Sequence, residues 1–107
     1  MSDWTDVCAA DDIDEDDQIR FDQGDRTYAI YRTEDDAYYA TDGLCTHEKV
    51  HLADGLLMGT TIECPMHNGR FDITNGAALR APVCEDLATY KVEIREGRVM
   101  VLLPPSA

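Results

Sequence analysis

Two short stretches decide the fold of this chain, Cys45-Thr46-His47 and Cys64-Pro65-Met66-His67, and sixteen residues separate them. Each stretch follows a strand-like segment and lies among turn-forming residues, so each is expected to form a loop between two strands. Two such loops folded side by side would bring two thiolates and two imidazoles to one point. The stretches therefore predict a metal centre with four ligands, namely Cys45, His47, Cys64 and His67.

The spacing of the ligands indicates which metal they bind. Two sulfurs and two imidazole nitrogens suit either zinc or an iron–sulfur centre. Structural zinc sites usually draw paired ligands two to four residues apart, often Cys with Cys and His with His. Here each loop supplies one Cys and one His, and only Thr46 separates the first pair. That arrangement favours a two-iron centre with both Cys on one iron and both His on the other. A structural zinc module is the less favoured alternative, and it would be colourless.

Length and composition favour one small domain. The chain has 107 residues, 44% of them hydrophobic, so residues 1–107 are predicted to form a single domain with a real core. No apolar run approaches the roughly 18 residues that a membrane span needs. The sequence starts with the polar, acidic stretch Met1-Ser2-Asp3-Trp4 rather than a signal peptide. A cytoplasmic protein is therefore expected, with no membrane partner.

Negative charge is concentrated in the first part of the chain. The net charge is −13, and residues 1–42 hold 14 of the 22 acids but only three arginines. From Asp11 to Asp17 every residue except Ile13 is acidic. Such a field repels nucleic acid and anionic membranes, so neither is expected as a partner. The acidic run suits a basic partner protein, or it serves only to keep the protein in solution.

Apolar and polar residues alternate along several short segments, which predicts strands, and no window of ten or more residues has a helical period. The predicted strands lie around residues 19–21, 28–30, 38–40, 60–63, 90–95 and 99–103. Glu96-Gly97 predicts a hairpin turn between the last two. The fold class is therefore all-β, either a compact sandwich or a partly open barrel.

The two ligand motifs resemble the Rieske signature, and the sequence around them is similar to the ferredoxin components of bacterial ring-hydroxylating oxygenase systems. The stretches that carry the resemblance are residues 42–47, 52–55, 62–67, 69–72, 76 and 81–84. The resemblance implies the Rieske fold, in which a cluster-binding subdomain, about residues 43–84, is inserted into a small antiparallel β base. It also implies one [2Fe–2S] cluster as the cofactor.

Departures from the respiratory branch of this family bear on the reduction potential. Respiratory members carry an extra Cys in each ligand loop, together with Ser and Tyr hydroxyls beside the cluster. The matching positions here are Val50, Met66, Gly69 and Phe71. Hydrogen bonds to cluster sulfur raise the potential. The resemblance therefore implies a midpoint near the low end of the Rieske range, which begins at about −150 mV.

A fully ligated two-iron centre has no open position for a substrate, so a one-electron carrier is expected rather than an enzyme. The chain has three His, and the predicted centre uses two of them. A mononuclear iron oxygenase site needs two His and a carboxylate. The chain therefore cannot also be the oxygenase.

The leading hypothesis is a soluble ferredoxin that passes electrons from an NAD(P)H-dependent flavoprotein reductase to a terminal oxygenase, and that is a monomer in isolation. Brief docking would use an apolar collar around the ligands, made of Leu44, Val50, Pro65, Met66 and Pro82. The alternative is a permanently bound small subunit of a larger redox enzyme, such as an assimilatory nitrite reductase.

Three further residues carry thiol or imidazole groups. Cys8 and Cys84 are expected to be free, buried thiols, because a disulfide between them is disfavoured in a reducing cytoplasm. His51 is expected to be a solvated or hydrogen-bonded loop histidine, with a minor chance of tuning the site.

Overall fold

The structure is a computed structural model that describes residues 3–46, 49–66, 69–80 and 85–104. These residues form two short 3-10 helices, η1 (Ala10–Asp12) and η2 (Leu52–Asp54), and eleven strands. The strands are β1 (Asp3–Ala9), β2 (Asp17–Gln23), β3 (Arg26–Arg32), β4 (Tyr38–Asp42), β5 (Leu56–Met58), β6 (Thr61–Glu63), β7 (Arg70–Asp72), β8 (Ala78–Arg80), β9 (Thr89–Tyr90), β10 (Val92–Arg95) and β11 (Arg98–Leu103). The prediction of an all-β fold is confirmed.

The described strands pair in three antiparallel sheets. The first sheet has the order β1-β11-β10, the second β2-β3-β4-β9 and the third β5-β6-β7-β8. The third sheet is built entirely from residues between β4 and β9, so the chain leaves the second sheet, forms the third and returns. It falls inside the range 43–84 predicted for the cluster-binding subdomain. The division into one domain and one inserted subdomain stays a prediction.

The second sheet is the middle layer, because β3 buries both of its faces. Tyr28 and Ile30 pack with residues of the first sheet, such as Val99 and Val101. Their neighbours Ala29 and Tyr31 are also buried, and they pack against the third sheet. The alternation of apolar and polar residues predicts a strand around residues 28–30. In the structure, neighbouring layers cover both faces of this strand.

One predicted strand is divided between two sheets. The sequence predicts one strand over residues 90–95, with Tyr90, Val92 and Ile94 on the same face. Tyr90 instead ends β9 and pairs with Ala40, while Val92 begins β10 and pairs with Val101. The chain crosses between sheets at Lys91, and Ile94 is 44% exposed on the edge strand β10.

Strand register separates the acidic run from the ligand loops. In the second sheet Asp17 pairs with Arg32, whereas Gln23 pairs with Arg26 at the opposite end. Six rises of about 3.3 Å place these ends about 20 Å apart. Residues 11–17 and the β3–β4 turn, 34–36, lie at the first end, which we call the acidic end. The chain leaves β4 for Cys45 at the other end, which we call the ligand-loop end.

In the described part of the chain, neither helix has the length or the apolar character that a membrane span requires.

Candidate metal centre

The first ligand loop begins where β4 ends, and main-chain hydrogen bonds close it. Leu44 and His51 form an isolated antiparallel bridge. Inside it, the Cys45 amide donates to the Val50 carbonyl at 3.0 Å. Outside it, the Leu52 amide donates to the Gly43 carbonyl at 2.8 Å. The loop is thus a narrow hairpin whose base is fixed by the backbone.

The second ligand loop joins β6 to β7 and is closed in the same way. The Cys64 amide donates to the Gly69 carbonyl at 2.7 Å, directly after the pair Glu63 and Arg70 in the strand register. The side chains of that pair form an ion pair of 2.9 Å. Both predicted cysteines therefore occupy the first position of a backbone-closed hairpin.

The structure brings the two thiols into one apolar core. Cys45 is 3% exposed and Cys64 is 1% exposed, and both belong to a single cluster of buried side chains. The other members come from β3, η2 and the third sheet, and include Leu52, Ile62 and Phe71. Two thiols from separate hairpins, buried in one core, form the sulfur half of the predicted donor set. Soft thiolates shielded from water suit an iron–sulfur centre, so the residues present fit that group.

The imidazole half of the prediction lies on His47 and His67, which are outside the described residues, as are Cys84 and Pro82. Within residues 3–46, 49–66, 69–80 and 85–104, no three His, Cys, Asp or Glu side chains gather as a metal-binding group. Cys45 and Cys64 are thus the described part of the site. The full ligand set stays a prediction.

One side-chain hydrogen bond joins the first ligand loop to a distant segment. The Thr46 hydroxyl donates to the Glu85 carbonyl at 2.8 Å. Thr46 follows Cys45 directly, and Glu85 follows the Pro82-containing stretch. The bond therefore anchors the first ligand loop to the chain that returns toward β9.

The predicted apolar collar is partly visible around the thiols. Met66 is 46% exposed and Pro65 is exposed, while Leu44 and Val50 are half-buried. Val50 also packs against the core that holds both cysteines. A buried sulfur pair and exposed apolar side chains thus lie on the same two loops.

The remaining described Cys and His are Cys8 and His51. Cys8 is a free, half-buried thiol in β1, so its expected full burial is wrong. Burial and the nearby Asp12 carboxylate raise the pKa of Cys8. His51 is half-buried, and its Nδ1 atom has no hydrogen-bond partner among the described residues. It lines a surface groove with Arg20, Asp22 and Lys49.

Sequence reasoning missed a side chain that joins β2 to the segment between the first ligand loop and β5. The Gln18 amide in β2 donates to the carbonyls of Ala53 and Gly55, at 3.0 and 2.9 Å. Gly55 packs so closely on β6 that a Cβ atom there would lie 2.2 Å from the Glu63 carbonyl oxygen. Asp54-Gly55 is a turn signal in the sequence, but no local signal connects it to Gln18.

Known proteins are similar to this chain over most of its length. Residues 3–91 match the family described as the Rieske [2Fe-2S] domain. Over 98 residues the chain is 44% identical to the ferredoxin component of naphthalene 1,2-dioxygenase/salicylate 5-hydroxylase systems from Ralstonia sp., covering 92% of this chain and 93% of that protein. It is 41% identical over 103 residues to the ferredoxin component of a 2,4-dinitrotoluene dioxygenase system from Burkholderia sp. (strain RASC), covering 94% and 95%.

Solved structures give the same result. The chain is similar to the ferredoxin in a complex of reduced oxygenase and oxidized ferredoxin in carbazole 1,9a-dioxygenase, with a TM-score of 0.88, 38% identity and 92% coverage of both chains. A putative nitrite reductase small subunit from Mycobacterium tuberculosis has a TM-score of 0.86, covering 98% of both chains, at 19% identity, which shows a shared fold alone.

The chain therefore belongs to the Rieske [2Fe–2S] family. Within that family it is a ferredoxin, an electron carrier with one [2Fe–2S] cluster rather than an enzyme.

Proposed function

We propose that this ferredoxin takes single electrons from an NAD(P)H-dependent flavoprotein reductase and delivers them to a terminal Rieske non-haem iron oxygenase. The observation that carries the proposal is the pair of thiols of Cys45 and Cys64. They are buried in one core, and each lies at the first position of a ligand loop. Relatives that match 92% and 94% of this chain are ferredoxin components of dioxygenase systems.

We assign four ligands, Cys45, His47, Cys64 and His67. These residues would hold the cluster, which would supply reversible one-electron chemistry. Its sulfur ligands lie in a core closed by Ile62 and Phe71, both fully buried. This core excludes water from the thiolate side. The cluster-binding part comprises about residues 43–84 of one domain, 1–107.

The side chains around the thiols support a low reduction potential. Phe71 has no hydroxyl, and it packs in the same core as Cys45 and Cys64. Gly69, whose carbonyl accepts from the Cys64 amide, has no side chain to donate toward sulfur. Fewer hydrogen bonds to sulfur leave the added electron less stabilised. A low midpoint suits a donor to an oxygenase.

Docking is proposed to be brief and to use the exposed apolar residues of the ligand loops. Pro65 and Met66 are exposed beside the buried Cys64. A small apolar contact permits rapid exchange between a reductase and an oxygenase, because small interfaces are typical of transient redox partners. We propose a monomer in the cytoplasm, where NAD(P)H is available. The alternative of a nitrite reductase small subunit is supported only by a shared fold.

Reconstitution tests the proposal. The purified holoprotein is mixed anaerobically with NADH and the reductase of a naphthalene dioxygenase system, and reduction is followed by the loss of visible absorbance and by EPR. Adding the matching oxygenase, substrate and oxygen should then give product only when this ferredoxin is present. Gel filtration should show the protein eluting alone. Failure of reduction, or elution only with a larger enzyme, would contradict the proposal.

A further inference from the structure

Three side chains meet where the chain leaves the second sheet for the first ligand loop. Arg26 begins β3, Asp42 ends β4 and Tyr90 ends β9. The Tyr90 hydroxyl donates to Asp42 Oδ1 at 2.6 Å. Arg26 Nη2 donates to the Tyr90 oxygen at 3.2 Å and lies 3.6 Å from the same Asp42 oxygen. We call these three residues the Asp42 network.

Tyr28 supports the network from the core side. Its ring meets the Tyr90 ring edge to face, with centroids 5.2 Å apart, and the Arg26 guanidinium lies 5.7 Å from its centre. Burial and the adjacent Asp42 carboxylate raise the pKa of Tyr90 well above its usual range. The Tyr90 hydroxyl therefore stays protonated and available to donate to Asp42.

The network connects directly to the first ligand loop. The Asp42 amide donates to the Ala88 carbonyl at 3.0 Å, on the segment that returns to the second sheet. The next amide, that of Gly43, donates to the Thr27 carbonyl at 2.9 Å. A Cβ atom on Gly43 would lie 2.9 Å from the Tyr28 nitrogen, so the backbone is pressed against β3. Asp42 is thus held at both its main chain and its side chain.

Charge adds a second role for Asp42. It lies three residues before Cys45, so their Cα atoms are at most about 11 Å apart. Asp42 and Arg26 carry opposite charges beside the ligand-loop end, and their effects there largely cancel. Removing either one leaves the other uncompensated. An added electron is stabilised by a nearby positive charge and destabilised by a negative one.

We propose that Asp42 is a positioning residue for electron transfer: it fixes the start of the first ligand loop on the second sheet through Tyr90, and with Arg26 it keeps the charge beside the centre balanced. The inference rests on the proposed ligation by Cys45. Asp42 and Tyr90 each have a near-isosteric substitution, Asn and Phe.

A charge cycle tests the balance. The variants are Asp42→Asn, Arg26→Gln and the double variant, with Asp6→Asn as control, since Asp6 forms a comparable partly exposed ion pair with Arg98 at 2.9 Å in the first sheet. Midpoints are measured by protein-film voltammetry at about 10 mM salt, where the Debye length is roughly 30 Å. Asp42→Asn should raise the midpoint, Arg26→Gln should lower it, and the double variant should return close to wild type. Asp6→Asn should shift it much less than Asp42→Asn does.

Loss of packing alone would shift the midpoints of both single variants in the same direction, or shift neither midpoint. Either result would overturn the proposal. Voltammetry needs no reductase or oxygenase, so this outcome is independent of the assigned partners.

The positioning role has its own readout, the width of the EPR lines of the reduced protein. Asp42→Ala and Tyr90→Phe should broaden these lines because the first ligand loop samples more geometries. Asp42→Asn should keep them sharp, since the amide oxygen still accepts from Tyr90. Equal line widths in Asp42→Ala and wild type would show that the loop does not depend on the network. Thermal unfolding of each holoprotein variant reports folding separately.

Discussion

The two ends of the second sheet are held by different interactions. At the ligand-loop end, main-chain hydrogen bonds close both hairpins, and Cys45 and Cys64 lie in a dry core. At the acidic end, exposed charges dominate, and Arg32 bonds the Ile13 carbonyl and pairs with Asp36 at 2.6 Å and Glu15 at 3.9 Å. Exposed ion pairs contribute little stability and are screened by salt. The packing of buried apolar side chains is not screened by salt. The site should therefore respond to changes in its core and hardly at all to changes in distant charge.

The largest effect is expected from the thiols themselves. Replacing Cys45 or Cys64 by Ala should abolish the Rieske absorption and EPR spectra, because each removes a proposed iron ligand. His47→Ala and His67→Ala should do the same. Cys8→Ser is the matched control, since Cys8 is a free thiol in β1, and this variant, like Cys84→Ser, should keep the spectra. A Cys8 variant without the cluster beside a Cys45 variant that retains it would disprove the ligand assignment.

A smaller effect should distinguish the hydrophobic core around the thiols from the core between the first and second sheets. Ile62 packs with the thiols and Ile30 packs between the first and second sheets, and both are fully buried. Ile62→Val and Ile30→Val should each lower the free energy of unfolding by about 0.5–1.5 kcal/mol, measured by urea denaturation. Only Ile62→Val should change the EPR line shape of the reduced protein. Equal spectral changes would show that the two cores are coupled.

A still finer change concerns hydrogen bonding at the second ligand loop. Gly69→Ser adds a hydroxyl beside the hydrogen bond that closes this loop, and it should raise the midpoint by donating to sulfur. Gly69→Ala is the control for bulk and should leave the midpoint close to wild type. Protein-film voltammetry measures both. A strongly positive midpoint in the unmodified protein would contradict the low potential expected from Gly69 and Phe71.

The smallest effect is expected at the acidic end. Six acids can be neutralised to Asn or Gln, namely Asp11, Asp12, Asp14, Glu15, Asp16 and Asp17. Because they lie about 20 Å from the ligand-loop end along β3, the midpoint should not change at physiological salt, where screening acts over about 8 Å. Stopped-flow reduction should differ from wild type at low salt only, through long-range steering. A difference that persists at high salt would mean that this end contacts the reductase.

The sequence predicted the parts whose signals are local. Alternation in 19–21, 28–30 and 99–103 indicated β2, β3 and β11, and the turn residues Glu96-Gly97 indicated the last hairpin. The ligand motifs located both hairpins that bury Cys45 and Cys64.

The sequence did not predict three of the shortest strands or the contacts between residues that are far apart along the chain. β5, β7 and β8 have three residues each, and unlike β6 they contain no β-branched residue that would indicate a strand. β1 was missed although it is seven residues long, because its burial is only partial. The Asp42 network joins Arg26 to Tyr90, which are 64 positions apart, and no local pattern reports such a contact. The positions of His47 and His67 stay predictions.

The backbone closure of the ligand hairpins has a consequence for sequence divergence. The bonds from Cys45 to Val50 and from Cys64 to Gly69 use only amides and carbonyls, which every non-proline residue provides. Exposed positions between them, such as Lys49, Pro65 and Met66, can therefore change without loss of the loop geometry. Carriers of this kind can acquire new partners by substitution at the rim of the site, while the residues beneath it stay the same.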